Sequence, residues 1–133
     1  MTVFVDTSAL YAVLDEDDIN HEAASTIWRD LLESESFVTH AYVEVEASAL
    51  VHRRLGVQAV RQLLDGLLAP VAVEMVDRET HSAAVQRWRA ESRHRRAVSL
   101  VDATSFVVME RDAIDRVFVF DRDFVRAGFS PLS

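Results

Sequence analysis

The chain alternates between two hydrophobic rhythms. A short apolar run, Val3-Phe4-Val5, stops at Asp6, and residues 8–14 then place Leu10, Val13 and Leu14 at helical spacing. This predicts a buried strand over 2–6 and a short helix after it. Residues 20–33 carry Ala23, Ala24, Ile27, Trp28, Leu31 and Leu32 at helical spacing, and 36–39 read as a short strand. A long helix is predicted over 41–55, stopped by Gly56, a residue suited to the position just past a helix end. Residues 57–68 repeat the helical rhythm with Val60, Leu63, Leu64, Leu67 and Leu68 on one side, and Pro70 ends it. A strand over 71–76, an amphipathic helix over 78–93 around Ala83, Ala84 and Trp88, an apolar helix over 100–110 and a strand over 117–120 complete the series. A short turn to Phe129 closes the chain. Strands and helices in alternation, with short connections, predict one α/β domain over residues 1–133, with three layers and a mostly parallel sheet.

Composition narrows the class. Half of the 133 residues are hydrophobic, which suits a sizeable core and excludes a disordered tail. No apolar run approaches the ~18 residues needed to span a bilayer. The N-terminus lacks a basic region followed by a long apolar one, so a cytoplasmic protein with no membrane partner is expected. The absence of Cys excludes disulfides and thiolate metal sites. The net charge of −8 should repel nucleic acid unless charge is locally arranged. All 14 bases are Arg, and Arg87, Arg89, Arg93, Arg95 and Arg96 fall within ten residues, where they read as a solvated helix face or as a grip on phosphates. The acid-rich turn 15–18 lacks the glycine and alternation of a calcium loop and reads as a solvated loop capping the next helix.

Four acids stand where a purely structural role accounts for them poorly as a set. Asp6 follows a buried strand and precedes a helix; it can cap that helix or present a carboxylate at the sheet's C-terminal edge, where α/β proteins bind ligands. At about 100° per residue, Glu46 falls between Val43 and Leu50 inside the apolar stripe of its helix, whereas Glu44 falls nearer the edge. A carboxylate facing a core is costly unless it is paired or bound to a cation, and Arg53 or Arg54 could pair Glu46. Asp102 has capping-box spacing from Ser99, which is compatible with one oxygen facing a cleft. Asp121 repeats the strand-then-acid order, with Asp123 two residues on. Carboxylates brought together raise one another's pKa, and a divalent cation removes the penalty. An all-oxygen set suits Mg²⁺ or Mn²⁺, and such a site fits metal-assisted hydrolysis of a phosphodiester. The five His show no zinc spacing, and no phosphate-binding glycine loop or G-x-S-x-G elbow is present.

The segments FVDTSAL (4–10), VTHAYVEVEASALVHRRLG (38–56), SLVDATSF (99–106) and VFVFDRDF (117–124), in this order, resemble the PIN-domain ribonucleases and, within them, the VapC-like toxins of bacterial toxin–antitoxin pairs. The resemblance implies an α/β/α sandwich and a Mg²⁺- or Mn²⁺-dependent endoribonuclease site. Its catalytic acids fall on Asp6, Glu46, Asp102 and Asp121. Asp6, Asp102 and Asp121 would hold metal, Glu46 would complete the site directly or through water, and Thr7 or Ser8 would orient water or phosphate. It also implies an RNA substrate, an antitoxin protein partner and a homodimer. Asp123 stands where similar proteins often carry His; it reads either as an added metal ligand or, preferably, as a solvated acid. A non-catalytic nucleic-acid-binding module and a stand-alone RNA-processing nuclease are the alternatives. A phosphatase-like site on Asp121-x-Asp123 fits poorly, because the ten residues after Asp123 look too few for another βα unit.

Overall fold

Val3, Phe4 and Val5 are completely buried and form β1 (Thr2–Val5), the middle strand of a five-stranded sheet. In the computed structural model, which describes residues 1–94 and 98–132, every strand pairing is parallel and the order is β3-β2-β1-β4-β5. The other strands are β2 (Ser36–His40), β3 (Val71–Glu74), β4 (Arg116–Phe118) and β5 (Ser130–Pro131). The chain runs outward from β1 to β3, then returns to the far side of β1 for β4 and β5. The order therefore reverses between β1 and β4, and crevices outside the carboxyl ends of strands at such a switch point are where α/β sheets bind ligands.

The helices α1 (Thr7–Leu14), α2 (His21–Leu32), α3 (Ala41–Leu55), α4 (Val57–Arg61), α5 (Arg78–Glu91), α6 (Leu100–Arg111) and α7 (Asp123–Arg126) flank the sheet. Leu10, Trp28, Phe37, Val43, Phe106, Met109, Phe118 and Phe124 form one core with the strands, in which Trp28 stacks on Phe37 at 4.7 Å between ring centroids. Among the described residues no helix is long and apolar enough to cross a membrane.

The predicted three-layer α/β reading holds, and α3 keeps its predicted bounds, ended by Gly56 at φ 92°. Three local readings are corrected. The helix expected over 57–68 is α4 followed by a π-type turn, Gln62–Leu67. The Leu68 N–H donates to the Leu63 carbonyl, five residues back, at 2.9 Å. That wider turn brings Leu63 and Leu68 inward and leaves Leu64 exposed, against the α-helical stripe. The acid-rich loop does not supply the N-cap residue of α2, which is Asn20 and makes no side-chain bond; Asp18 ties down the helix start from outside, its carboxylate accepting the Asn20 N–H at 2.8 Å and its carbonyl the His21 N–H at 2.9 Å, while Asp15 accepts from the Tyr11 hydroxyl at 2.6 Å. Finally, the tail after Asp121 is more than a turn. It forms α7 and then β5, which pairs with β4, so few residues suffice for a fifth parallel strand.

Candidate metal centre

Asp6 leaves β1 and starts α1. Its backbone N–H donates to the Phe118 carbonyl of β4 at 3.1 Å, which pins it at the switch point. Its Oδ2 accepts from the Ser8 N–H at 3.0 Å and the Ser8 hydroxyl at 2.7 Å, so Asp6 does cap α1. Its Oδ1 is buried and has no hydrogen-bond partner. The cap thus uses one oxygen of the carboxyl and leaves the other without a donor. Ser8 is absorbed structurally, because its Oγ also accepts the Phe120 N–H at 3.0 Å and fixes the segment that leads to Asp121. The Thr7 hydroxyl is buried without a partner.

Asp102 also caps a helix. It sits in the first turn of α6, and its Oδ2 accepts the Ser99 N–H at 3.1 Å while the Ser99 hydroxyl accepts the Asp102 N–H. The capping box is real, and Asp102 is still drawn into the acid cluster. Burial, then the neighbouring Asp6 charge, push its carboxyl up to about 7, with Asp121 and Glu46 adding to the rise. Burial likewise pushes Asp6 up to about 6, against the lowering by Ser8 and with help from Glu46 and Asp121. Four acids from four separate segments, β1, α3, α6 and the end of β4, are therefore close enough to feel one another's charge. Glu46 lies half-buried on α3. Among the described residues it makes no ion pair with Arg53 or Arg54, and the Arg54 guanidinium lies over the Tyr11 ring at 5.4 Å.

Asp123 departs from its sequence reading. It is 2% exposed, not a solvated acid, because α7 folds it against Asp121. Its N–H donates to Asp121 Oδ1 at 2.8 Å, and burial followed by the Asp121 charge raises its pKa. Asp102, Asp121 and Asp123 each offer a carboxylate oxygen, and the three lie within 4.8 Å of one another. Oxygen donors in this number suit a hard divalent cation.

Sequence reasoning missed the bond that holds α3 against α6. His40, fully buried, caps α3: its Nδ1 accepts from the N–H groups of Tyr42 at 3.2 Å and Val43 at 3.4 Å. Nδ1 as acceptor leaves the proton on Nε2, which donates to Ser105 Oγ on α6 at 2.9 Å. The Ser105 hydroxyl donates onward to the Val101 carbonyl at 3.1 Å. Burial lowers the His40 pKa to about 4, so the ring is neutral. This chain fixes the helix of Glu46 against the helix of Asp102. Its only trace in the sequence is a polar ring directly before a helix and a serine three residues after Asp102. Of the arginine stretch, Arg87 is occupied by Glu91 and Glu110 and lies over the Phe106 ring, while Arg95 and Arg96 lie outside the described residues.

A parallel sheet with acids gathered at its switch point defines a nuclease-like α/β protein, and the PIN domain family matches residues 3–130. The chain belongs to the PIN-domain ribonuclease family, in its VapC-like branch. It is 34% identical over 128 residues to the 23S rRNA-specific endonuclease VapC20 of Mycobacterium tuberculosis, covering 96% of this chain and 95% of that one. The crystal structure of that sarcin–ricin loop cleaving toxin superposes with a TM-score of 0.86 at 32% identity, covering 96% of both chains. VapBC2 from Rickettsia felis, bound to a promoter DNA fragment, shares the fold alone, with a TM-score of 0.74 at 10% identity over 99% of this chain and 98% of that one.

Proposed function

We propose that residues 1–133 act as one domain, a Mg²⁺- or Mn²⁺-dependent endoribonuclease that hydrolyses phosphodiester bonds of ribosomal RNA as the toxin of a toxin–antitoxin pair. The observation that carries this reading is the Asp6 carboxylate, which has one oxygen buried without a partner and feels the charges of Glu46 and Asp121. A buried carboxylate oxygen with no donor is costly, and a cation relieves both its desolvation and its repulsion. Asp6, Asp102 and Asp121 would hold the ion, with Glu46 completing the site directly or through water. A divalent cation there supplies an acidified water and neutralises charge at the scissile phosphate. The protein's own part is to hold the acids in place: Ser8, Ser99 and the His40–Ser105 bond each fix one segment of the cluster. The 34% identity to a ribosomal-RNA endonuclease supports that substrate class. Ribosomal RNA places the reaction in the cytoplasm.

An antitoxin protein and a second copy of the chain are the proposed partners. Exposed Val45 and Val57 on the outer faces of α3 and α4 supply apolar surface for such contacts. The test is to incubate the protein with ribosomal RNA in Mg²⁺, Mn²⁺ or EDTA. A discrete cut with either metal, absent in EDTA and absent with Asp6→Asn, is expected. Cleavage that survives EDTA contradicts the proposal, and RNA held but never cut identifies a non-catalytic binding module.

A further inference from the structure

We propose that Trp88 contacts the RNA substrate, its indole ring stacking on an unpaired base beside the scissile phosphate; this rests on the endoribonuclease reading above. The two Trp of the chain stand in opposite surroundings. Trp28 is 8% exposed and stacks on Phe37 and Phe118 in the core. Trp88, near the C-terminal end of α5, is 39% exposed. Its orientation is nonetheless fixed, because its Nε1–H donates to the Val98 carbonyl at 3.2 Å. Side-chain freedom is thus given up before a ligand arrives, and such preorganisation favours binding.

The peptide unit that holds the indole also holds an acid of the cluster. Its other end, the Ser99 N–H, donates to Asp102 Oδ2 at 3.1 Å. A trans peptide unit is planar and rigid, with its C=O and N–H pointing in opposite directions. The indole and the Asp102 carboxylate therefore grip the two ends of one plane. A base resting on the ring and a phosphate at the acids then belong to the same nucleotide or to neighbouring ones. Charge selects the occupant. Arg89 on α5 and Arg93 just beyond its end are both exposed. Cations beside an exposed aromatic ring suit single-stranded RNA: the cations take the phosphates, and the ring takes the face that every base presents.

The experiment measures cleavage of ribosomal RNA in Mg²⁺ by wild type, Trp88→Phe and Trp88→Leu, with melting in EDTA as the control for folding. Both variants lose the N–H bond to Val98, and only Trp88→Leu loses the aromatic face. Trp88→Leu should show a KM about fivefold or more above that of Trp88→Phe. Equal kcat in the two marks the loss as one of substrate binding. Stopped-flow fluorescence of the wild type reads the same contact without any substitution. Trp88 should be quenched in the binding phase, before cleavage, and Trp88→Phe, with only Trp28 left, should not respond. Equal KM in the two variants, with wild-type fluorescence unmoved by RNA that is then cut, overturns the role of Trp88 and leaves the endoribonuclease reading standing. A lower kcat in both variants without a KM difference also overturns the contact and leaves Trp88 acting only through the peptide that holds Asp102. Silent fluorescence, with a wild-type dimer that dissociates in Trp88→Leu, overturns it in favour of a contact between copies. Quenching by RNA that is never cut overturns the endoribonuclease reading alone, and the absence of both quenching and cleavage overturns both.

Discussion

Asp6 and Asp102 each cap a helix and also stand among the clustered acids, and this double position explains why cap signals and site signals coincide at the same residues. It also sets the pH behaviour of the metal-free protein. Both carboxyls hold protons more tightly when folded, at about 6 and about 7 against 3.8 for an ordinary Asp. The folded state thus binds extra protons between pH 3.8 and about 7, and the stability contribution of these groups falls as pH rises through that window. His40 acts oppositely: its pKa is lowered from 6.5 to about 4, so its stabilising contribution is complete above pH 6.5 and is lost on acidification. Comparison with a variant isolates the carboxylates. In EDTA at pH 8, Asp102→Asn should be more stable than wild type by about 1–3 kcal/mol, with the gain vanishing near pH 4. Saturating Mn²⁺ should reverse the order, because only the intact site gains binding energy on folding. Chemical denaturation across pH, with and without Mn²⁺, reads both effects. The four acids were legible in the sequence because an acid ending an apolar run, or lying within an apolar stripe, conflicts with its surroundings. Asp123 was not, because its burial depends on how α7 folds, and the ten residues after it carry little periodic signal.

The elements follow from hydrophobic rhythm wherever one face is buried throughout. The bounds of α3 are explicit in its sequence, with a polar residue before Ala41 and Gly56 after Leu55. The π-type turn over Gln62–Leu67 is not, since Leu63, Leu64, Leu67 and Leu68 satisfy an α-helical stripe equally well and only packing selects Leu63 and Leu68. Nor is the coupling of α3 to α6, which needs a pair 65 residues apart. His40→Ala removes two bonds to the α3 N-terminus, a packed ring and the Ser105 partner, and should cost about 2–4 kcal/mol. Ser105→Ala should cost about 1 kcal/mol, and the double variant less than the sum. Melting in EDTA checks the cycle, and full additivity would mean that the two helices are not coupled through this bond. RNA cleavage by folded His40→Ala should fall further than its stability loss accounts for, as Glu46 drifts from Asp102.

At the scale of the whole molecule, a chain of net charge −8 must hold a polyanion. On the proposed metal-dependent reading, cations at the acid cluster would convert its most repulsive point into an attractive one, so RNA should bind weakly in EDTA and more tightly in Mg²⁺ or Mn²⁺. Arg87 is committed to Glu91 and Glu110, which leaves the later arginines of the stretch as candidates. Replacing Arg93, Arg95 and Arg96 with Gln should weaken RNA binding and flatten its salt dependence while leaving Mn²⁺ affinity unchanged. Binding measured against salt concentration tests this, and equal slopes for wild type and variant would assign these arginines to solvation alone. The parallel sheet and its switch point were legible because apolar runs and helical stripes alternate strictly; the choice of arginines that meet substrate was not, since ion pairing depends on neighbours distant in the chain.

The central claim is that the acids at the β1/β4 switch point form a divalent-metal centre. Anomalous diffraction from crystals of the protein grown with Mn²⁺ tests it most directly. The account predicts a Mn²⁺ peak bonded to Asp6 Oδ1 and an Asp102 oxygen at about 2.1–2.3 Å, with Asp121 in the same sphere. A cluster without Mn²⁺ at saturating concentration, or Mn²⁺ bound only elsewhere on the molecule, would contradict it.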